Sequence, residues 1–162
     1  MTAAPAMAAG SVARYQTTNY TITSSIVEAP GADHTYSVTQ SPCDGSISGT
    51  GQGLNGNSGV TESITGSLST SQLVFHAVYT SVPSGWNPSF VGYYYDVTAT
   101  VASDGSYTGA ATDSLGGHYT VVGNVIKGTT SSYANHGQYV SSQGGGSDAA
   151  HSCIGVPVQS SG

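Results

Sequence analysis

Five histidines, eight carboxylates, two cysteines and a run of aromatic residues are the groups in this 162-residue chain that could do chemistry. His136, His151 and Cys153 lie near its C-terminal end. Imidazole nitrogen with thiolate is a zinc donor set. The spacing argues against a metal, because no HxxxH or CxxC pair occurs, and a Cys153 held in a disulfide cannot ligate. The same residues raise a Cys–His nucleophile pair, Cys153 with His136 or His151. Residues i and i+2 do not face each other on a helix, so His151 is poorly placed to activate Cys153. His136 reaches it only through the fold. No GxSxG elbow is present, and GQGLNG sits among strand-like segments, where it reads as a turn. The expectation is no metal, no catalytic residue and no cofactor, with His136 and His151 hydrogen-bonded at helix ends.

Two groups suggest binding instead. Glu62 shares a face with Val60, Ile64 and Leu68. An inward carboxylate costs stability unless it is paired or hydrogen-bonded. It either lies in a lumen that holds a polar ligand, or sits at a strand end or bulge that turns it outward; the second reading is preferred. The aromatic set Trp86, Phe90, Tyr93, Tyr94 and Tyr95 is the better candidate. Tyr and Trp offer large contact area with a polar tip, and Trp86 with Tyr94 could stack on a sugar or a flat ligand. The competing reading is that these rings fill a core and plug its mouth. Asp96 falls on the face opposite Tyr93 and Tyr95 and is expected in solvent.

These side chains must be positioned by strands. Lys and Arg total 2, Asp and Glu total 8, and the formal net charge is −6. So few cations cannot neutralise a phosphate backbone, which excludes a nucleic-acid partner. No apolar run approaches the roughly 20 residues of a membrane helix. Charged residues make up 6% and apolar ones 37%, which is not the composition of a disordered chain. Eleven Tyr, with many Val and Thr, favour strands, and strong helix formers are scarce.

Period-two alternation places Tyr20, Ile22, Ser24 and Ile26 on one face and Thr21, Thr23 and Ser25 on the other. Tyr36 and Val38 point inward in the next segment. Gly49, Gly51 and Gly53 recur with period two, which bares one face where something must approach closely. Leu73, Phe75, Ala77 and Tyr79 oppose Val74, His76 and Val78, as in a strand covered on both sides. Val91 to Ala102 is the strongest strand, and Asp104-Gly105 reads as a type I′ hairpin turn.

About eight strands joined by short links make an antiparallel up-and-down meander. The expected fold is therefore all-β, a closed small barrel with a short helical C-terminal tail; a two-sheet sandwich is the alternative. The expected divisions are an Ala-rich N-terminal arm over 1–17, a barrel over 18–130 and a tail over 131–162. In the tail, Asn135 caps one short helix and Ser147 a second. Cys43 and Cys153 can form a disulfide that clamps this tail, the alternative being two free thiols. At the other end, MTAAPAMAAGS has no basic n-region, yet Ala6-Met7-Ala8 fits the small-x-small end of a signal peptide; a flexible Ala-rich start is the alternative.

The segments Asn135-His136-Gly137-Gln138-Tyr139-Val140-Ser141 and Ala149-Ala150-His151-Ser152-Cys153-Ile154-Gly155, followed by Pro157, resemble the C-terminal end of uncharacterised secreted actinobacterial proteins. The resemblance covers about 25 residues. It implies an exported bacterial protein and no particular activity. The strand region is similar in turn spacing and Gly/Thr usage to avidin-like barrels. No motif matches residue by residue and Trp86 is the lone tryptophan, so biotin binding is not implied.

The expected function is a secreted, non-enzymatic module that binds a small or glycan-like ligand or serves at the cell surface, with Trp86, Tyr93, Tyr94, Tyr95 and Glu62 as ligand-binding residues. One alternative is a structural subunit of a self-assembling extracellular fibre, which implies a homo-oligomer. The other is an enzyme with a lumenal carboxylate and histidine.

Overall fold

The computed structural model describes residues 15–133 and Gln138. Eight strands follow in order: β1 (Tyr15–Ile26), β2 (Ala32–Gln40), β3 (Ser46–Asn55), β4 (Thr61–Leu68), β5 (Gln72–Ser81), β6 (Tyr94–Val101), β7 (Ser106–Asp113) and β8 (His118–Tyr133). Each pairs antiparallel with the next, and β1 pairs with β8, so the meander closes into a barrel. Around the barrel wall, closure removes the sheet edges that a chain with one lysine has little means to guard. The barrel strands reach beyond the expected 18–130, since Tyr15–Thr17 of β1 pair with residues 131–133 of β8. Residues 1–14 of the expected 1–17 arm and the two expected tail helices lie outside the described residues, apart from Gln138.

Alternation sorts the side chains as the sequence implies. Ile22, Ile26, Tyr36, Val38, Ile47, Ile64, Leu73, Phe75, Val97 and Val121 fill the interior. Outer positions on β1–β4 are mostly Thr and Ser, with Thr21 opposite Ser37, Ser37 opposite Thr50, and Thr50 opposite Ser63. An apolar inside with a hydroxyl outside is the inverse of a transmembrane barrel, whose lipid-facing band is apolar. Among the described residues no helix is long and apolar enough to cross a membrane.

Two readings need correction. The turn after β6 is not type I′, which requires positive φ at both central residues. Only Gly105 has one, at 88°. Gly105 N–H donates to the Ala102 carbonyl and Ala102 N–H to the Ser106 carbonyl. This is the three-residue hairpin whose last residue is left-handed, fixed by Ser106 donating to Asp104 Oδ1. In β5, Val74, His76 and Val78 are only half-buried on the barrel's outer wall, because among the described residues no second layer covers it.

Candidate functional site

The barrel has two unlike ends. The β1–β2, β3–β4 and β7–β8 turns and the long 82–93 loop meet at one, here called the loop end. The β2–β3, β4–β5 and β6–β7 turns meet at the other, the open end.

Glu62 sits just inside the loop end. A register shift between Thr61 and Glu62 marks a bulge there, but it does not turn the carboxylate outward. The side chain has no solvent exposure. His34 of β2 meets it, with Nδ1 2.8 Å from Oε2. The Asn57 amide donates to His34 Nε2 at 2.9 Å, which leaves Nδ1–H as the donor to the carboxylate. Tyr36 Oη donates to Glu62 Oε1 at 3.4 Å, and burial, with the carboxylate next, pushes this phenol well above its ordinary range. No buried side-chain polar atom among the described residues lacks a partner. The charge is therefore satisfied from within the fold, not held ready for a ligand.

The glycine period explains the room for this group. Gly51 lies opposite both Tyr36 and Glu62. A Cβ on Gly51 would come within 2.3 Å of the Tyr36 ring, and one on Gly53 within 2.1 Å of the Asn57 carbonyl. At Gly51 and Gly53 what approaches β3 is this buried cluster itself; at Gly49 it is the Ser37 carbonyl of β2. A cavity of about 10 Å³ between His34, Tyr36, Phe75 and Tyr95 remains, scarcely room for one water. The interior around Glu62 is filled.

Above the cluster, aromatic rings run outward in contact. Tyr95 is edge-on to His34 at 6.0 Å and to Tyr93 at 5.1 Å. Tyr93 meets Phe90 at 5.9 Å, and Phe90 meets Trp86 at 5.9 Å. Trp86 is half-buried and Phe90 is 38% exposed, so the column ends in solvent. The loop that carries it has a fixed shape. Asn87 caps the 3-10 turn Pro88–Phe90 by accepting from Ser89 N–H. Gly85 and Gly92 take φ of 101° and 91°, conformations that side chains rarely adopt. Gly92 N–H donates to the Tyr79 carbonyl, and Tyr79 N–H to that of Tyr93, tying the loop to β5.

Asp113 clasps the column from the far side. Its Oδ2 accepts from Tyr93 at 2.6 Å and Tyr119 at 2.9 Å, and its Oδ1 from the Leu115 and Gly117 N–H groups. Burial alone would raise its pKa, but these donors together hold the carboxyl below its ordinary value. Burial first, then the bond to Asp113, drives the Tyr93 phenol far above its usual range. Burial does the same to Tyr79, with Tyr95 next.

Of the five expected binding residues, Trp86, Tyr93 and Tyr95 therefore share one column, and Glu62 lies beneath it behind His34. Tyr94 points to the outer wall, away from Trp86. There it lies 4.8 Å from His76, whose Nδ1 is 2.7 Å from the exposed Asp96. His34, Asp113 and Tyr119 were not anticipated. His34 was legible, being in phase with Tyr36 and Val38; Asp113 was not, because its role comes from three separate segments.

Among the described residues no group of three His, Cys, Asp or Glu side chains could hold a metal ion. His136, His151 and Cys153 lie outside them. Cys43, in the β2–β3 turn, is not a free thiol. No protein-family model matches the chain, and no curated protein matches it either.

Proposed function

We propose that the protein is an exported, non-enzymatic β-barrel module that binds a small or glycan-like ligand at its loop end. The observation that supports this reading is the Trp86–Phe90 pair, edge-on and partly exposed, on a loop with no charged side chain. A preformed apolar platform rimmed by backbone and hydroxyl groups suits an uncharged ring with polar edges, such as a sugar. The filled interior speaks against a lumenal ligand or a lumenal enzyme. Export is supported by the scarcity of Lys, by the tail's resemblance to secreted actinobacterial proteins and by the cysteines. Cys153 is the only other cysteine in the chain, so a Cys43–Cys153 disulfide accounts for the bonded Cys43 and belongs to an oxidising compartment.

Trp86 is the single tryptophan, so its emission reports the site directly. Titration with neutral gluco-, manno- and N-acetylglucosamine oligosaccharides is expected to give a saturable change with at least one, abolished in Phe90→Ala. Flat emission with every oligosaccharide overturns the glycan reading.

A structural-subunit role is the second reading. Among the described residues, 126–132 of β8 pair only with β1, leaving one edge of that ribbon open to strand addition. A sedimentation series that shows a monomer at all concentrations removes it.

A further inference from the structure

The open end holds a bowl of about 550 Å³, walled by Tyr20, Leu68, Val101 and Val125 with Gln40 beside them. Its volume falls within the roughly 300–1,000 Å³ of small-molecule sites, and barrel mouths are among their usual places. The turns at its rim are small. Residues 69–71 read Ser-Thr-Ser and 102–105 read Ala-Ser-Asp-Gly, so neither turn carries a large side chain to fold over the mouth. The 82–93 loop at the other end brings Trp86 and Phe90 instead. The rim is also fixed by its own hydrogen bonds. Ser69 Oγ accepts from Gln72 N–H at 3.1 Å, and Asp104 Oδ1 accepts from Ser106 N–H at 2.9 Å.

The bowl has a closed floor. One layer deeper on the same strands and the same face, Ile22, Val38 and Ala99 are buried. Tyr20, Val101 and Val125 pack against that core on one side and stay half-exposed on the other. Covering this apolar surface is favourable, which selects a ligand with an apolar body. None of the described residues lining the bowl is Asp, Glu, Lys, Arg or His. A charged head group would lose water there and gain no counter-ion, so the bowl selects a neutral molecule.

One polar pair interrupts the apolar wall. The Gln40 amide donates to the Leu68 carbonyl at 2.6 Å and to the Gly45 carbonyl at 3.3 Å. Both amide hydrogens are thus engaged, which fixes the side chain and leaves Oε1 as its acceptor. Tyr20 Oη donates to that oxygen across 3.4 Å, a long bond. Burial raises the Tyr20 pKa, so the phenol keeps its proton at neutral pH. A ligand hydroxyl entering between the two can donate to Gln40 Oε1 and accept from Tyr20 Oη, exchanging one long bond for two of ordinary length.

We infer that the open-end bowl is a second binding site, for a neutral lipophilic molecule whose hydroxyl group is held by Tyr20 and Gln40. It lies at the opposite end of the barrel from the loop-end platform and is independent of the glycan reading.

The test uses the full-length chain and three probes. 1-Pyrenemethanol, 1-methylpyrene and 1-pyrenecarboxylate share one flat apolar body and differ in head group. Each is titrated at neutral pH and followed by its own fluorescence. The alcohol is expected to bind saturably at one site per chain, about tenfold more tightly than the methyl compound, with the carboxylate weakest. Tyr20→Phe keeps the ring and should erase the preference for the alcohol while leaving the affinity for 1-methylpyrene unchanged. Amide NMR on the wild-type chain gives a readout that needs no substitution. Bound 1-pyrenemethanol should shift Leu68, Ser69, Val101, Gly105 and Val125 and leave residues 82–93 unmoved. No saturable binding of the alcohol overturns the site, and shifts centred on 82–93 overturn its location. Equal affinity for the three head groups, or a preference for the alcohol that survives Tyr20→Phe, overturns the role of the polar pair.

Discussion

The two ends of this barrel share one backbone plan and differ in what their last inward positions carry. At the loop end those positions are His34, Tyr36, Glu62, Tyr79, Tyr95 and Tyr119, and the barrel is packed to its mouth by hydrogen-bonded rings. At the open end they are Tyr20, Gln40, Leu68, Val101 and Val125, which leave a bowl between them. A small barrel is therefore not hollow or filled as a whole; side-chain volume decides it layer by layer. The glycines follow the same rule. Gly51 clears space for the Tyr36 ring at the filled end, whereas Gly105 at the open end serves a tight turn against the Val125 carbonyl.

The comparison can be broken most severely at Glu62. Glu62→Ala leaves His34 and the Tyr36 hydroxyl buried without their acceptor. A buried donor left without its acceptor costs about 1–3 kcal/mol, and two are orphaned here, so urea denaturation should show a loss of several kcal/mol. A loss below about 1 kcal/mol would mean that the pair is reached by water and the filled-end account is wrong. Gly51→Ala comes next. Its Cβ meets a buried ring with nowhere to move, and overpacking costs about 1–3 kcal/mol. An unchanged unfolding midpoint would show that β3 and Tyr36 are further apart than described.

Asp113→Asn removes the acceptor shared by Tyr93 and Tyr119, with an expected cost of about 1–3 kcal/mol at neutral pH. The pH dependence sharpens this. Folding lowers the Asp113 pKa, so its contribution is fully present above the unfolded value of about 4 and is lost as pH falls through the lower folded value. Urea midpoints measured from pH 6 down to pH 3 should fall less steeply in Asp113→Asn than in wild type. Equal slopes would count against the clasp.

A matched pair of turn glycines compares the ends at smaller scale. Gly105 and Gly116 both have positive φ, near 88° and 85°. An added Cβ meets the Val125 carbonyl at 2.6 Å in the first and nothing within 4 Å in the second. Gly116→Ala should cost about 1–2 kcal/mol from conformation alone, and Gly105→Ala more. Thermal melts that rank them the other way would contradict the turn geometry. The smallest effect belongs to Thr70→Ala on the exposed β4–β5 turn, where a change beyond about 0.5 kcal/mol is not expected.

Much of this architecture was written locally. Alternation in Tyr20–Ile26, in Tyr36–Val38 and in Tyr93–Val101 told inside from outside, and short turns dictated the meander. The candidate site was legible only in parts. Trp86, Tyr93 and Tyr95 could be named from residue type, but their stacking depends on Phe90 and on β6 meeting β7, which no local pattern encodes. Tyr94 was grouped with them by adjacency, although neighbours on a strand point to opposite faces. Glu62 was read as turned outward because its partner was invisible. His34 lies in another hairpin, and only the β2–β3–β4 register, with Gly51 between them, brings the two together.

The claim that recognition belongs to the loop end, above a closed interior, is tested most directly by mapping a bound oligosaccharide on the amide NMR spectrum of the intact chain. The account predicts shifts confined to residues 82–93 and to the Asp113–Tyr119 turn, with His34, Glu62 and the open-end amides unmoved. Shifts centred on His34, Glu62 and Ser24 instead would show that the interior admits ligand and that the filled barrel is not the working state.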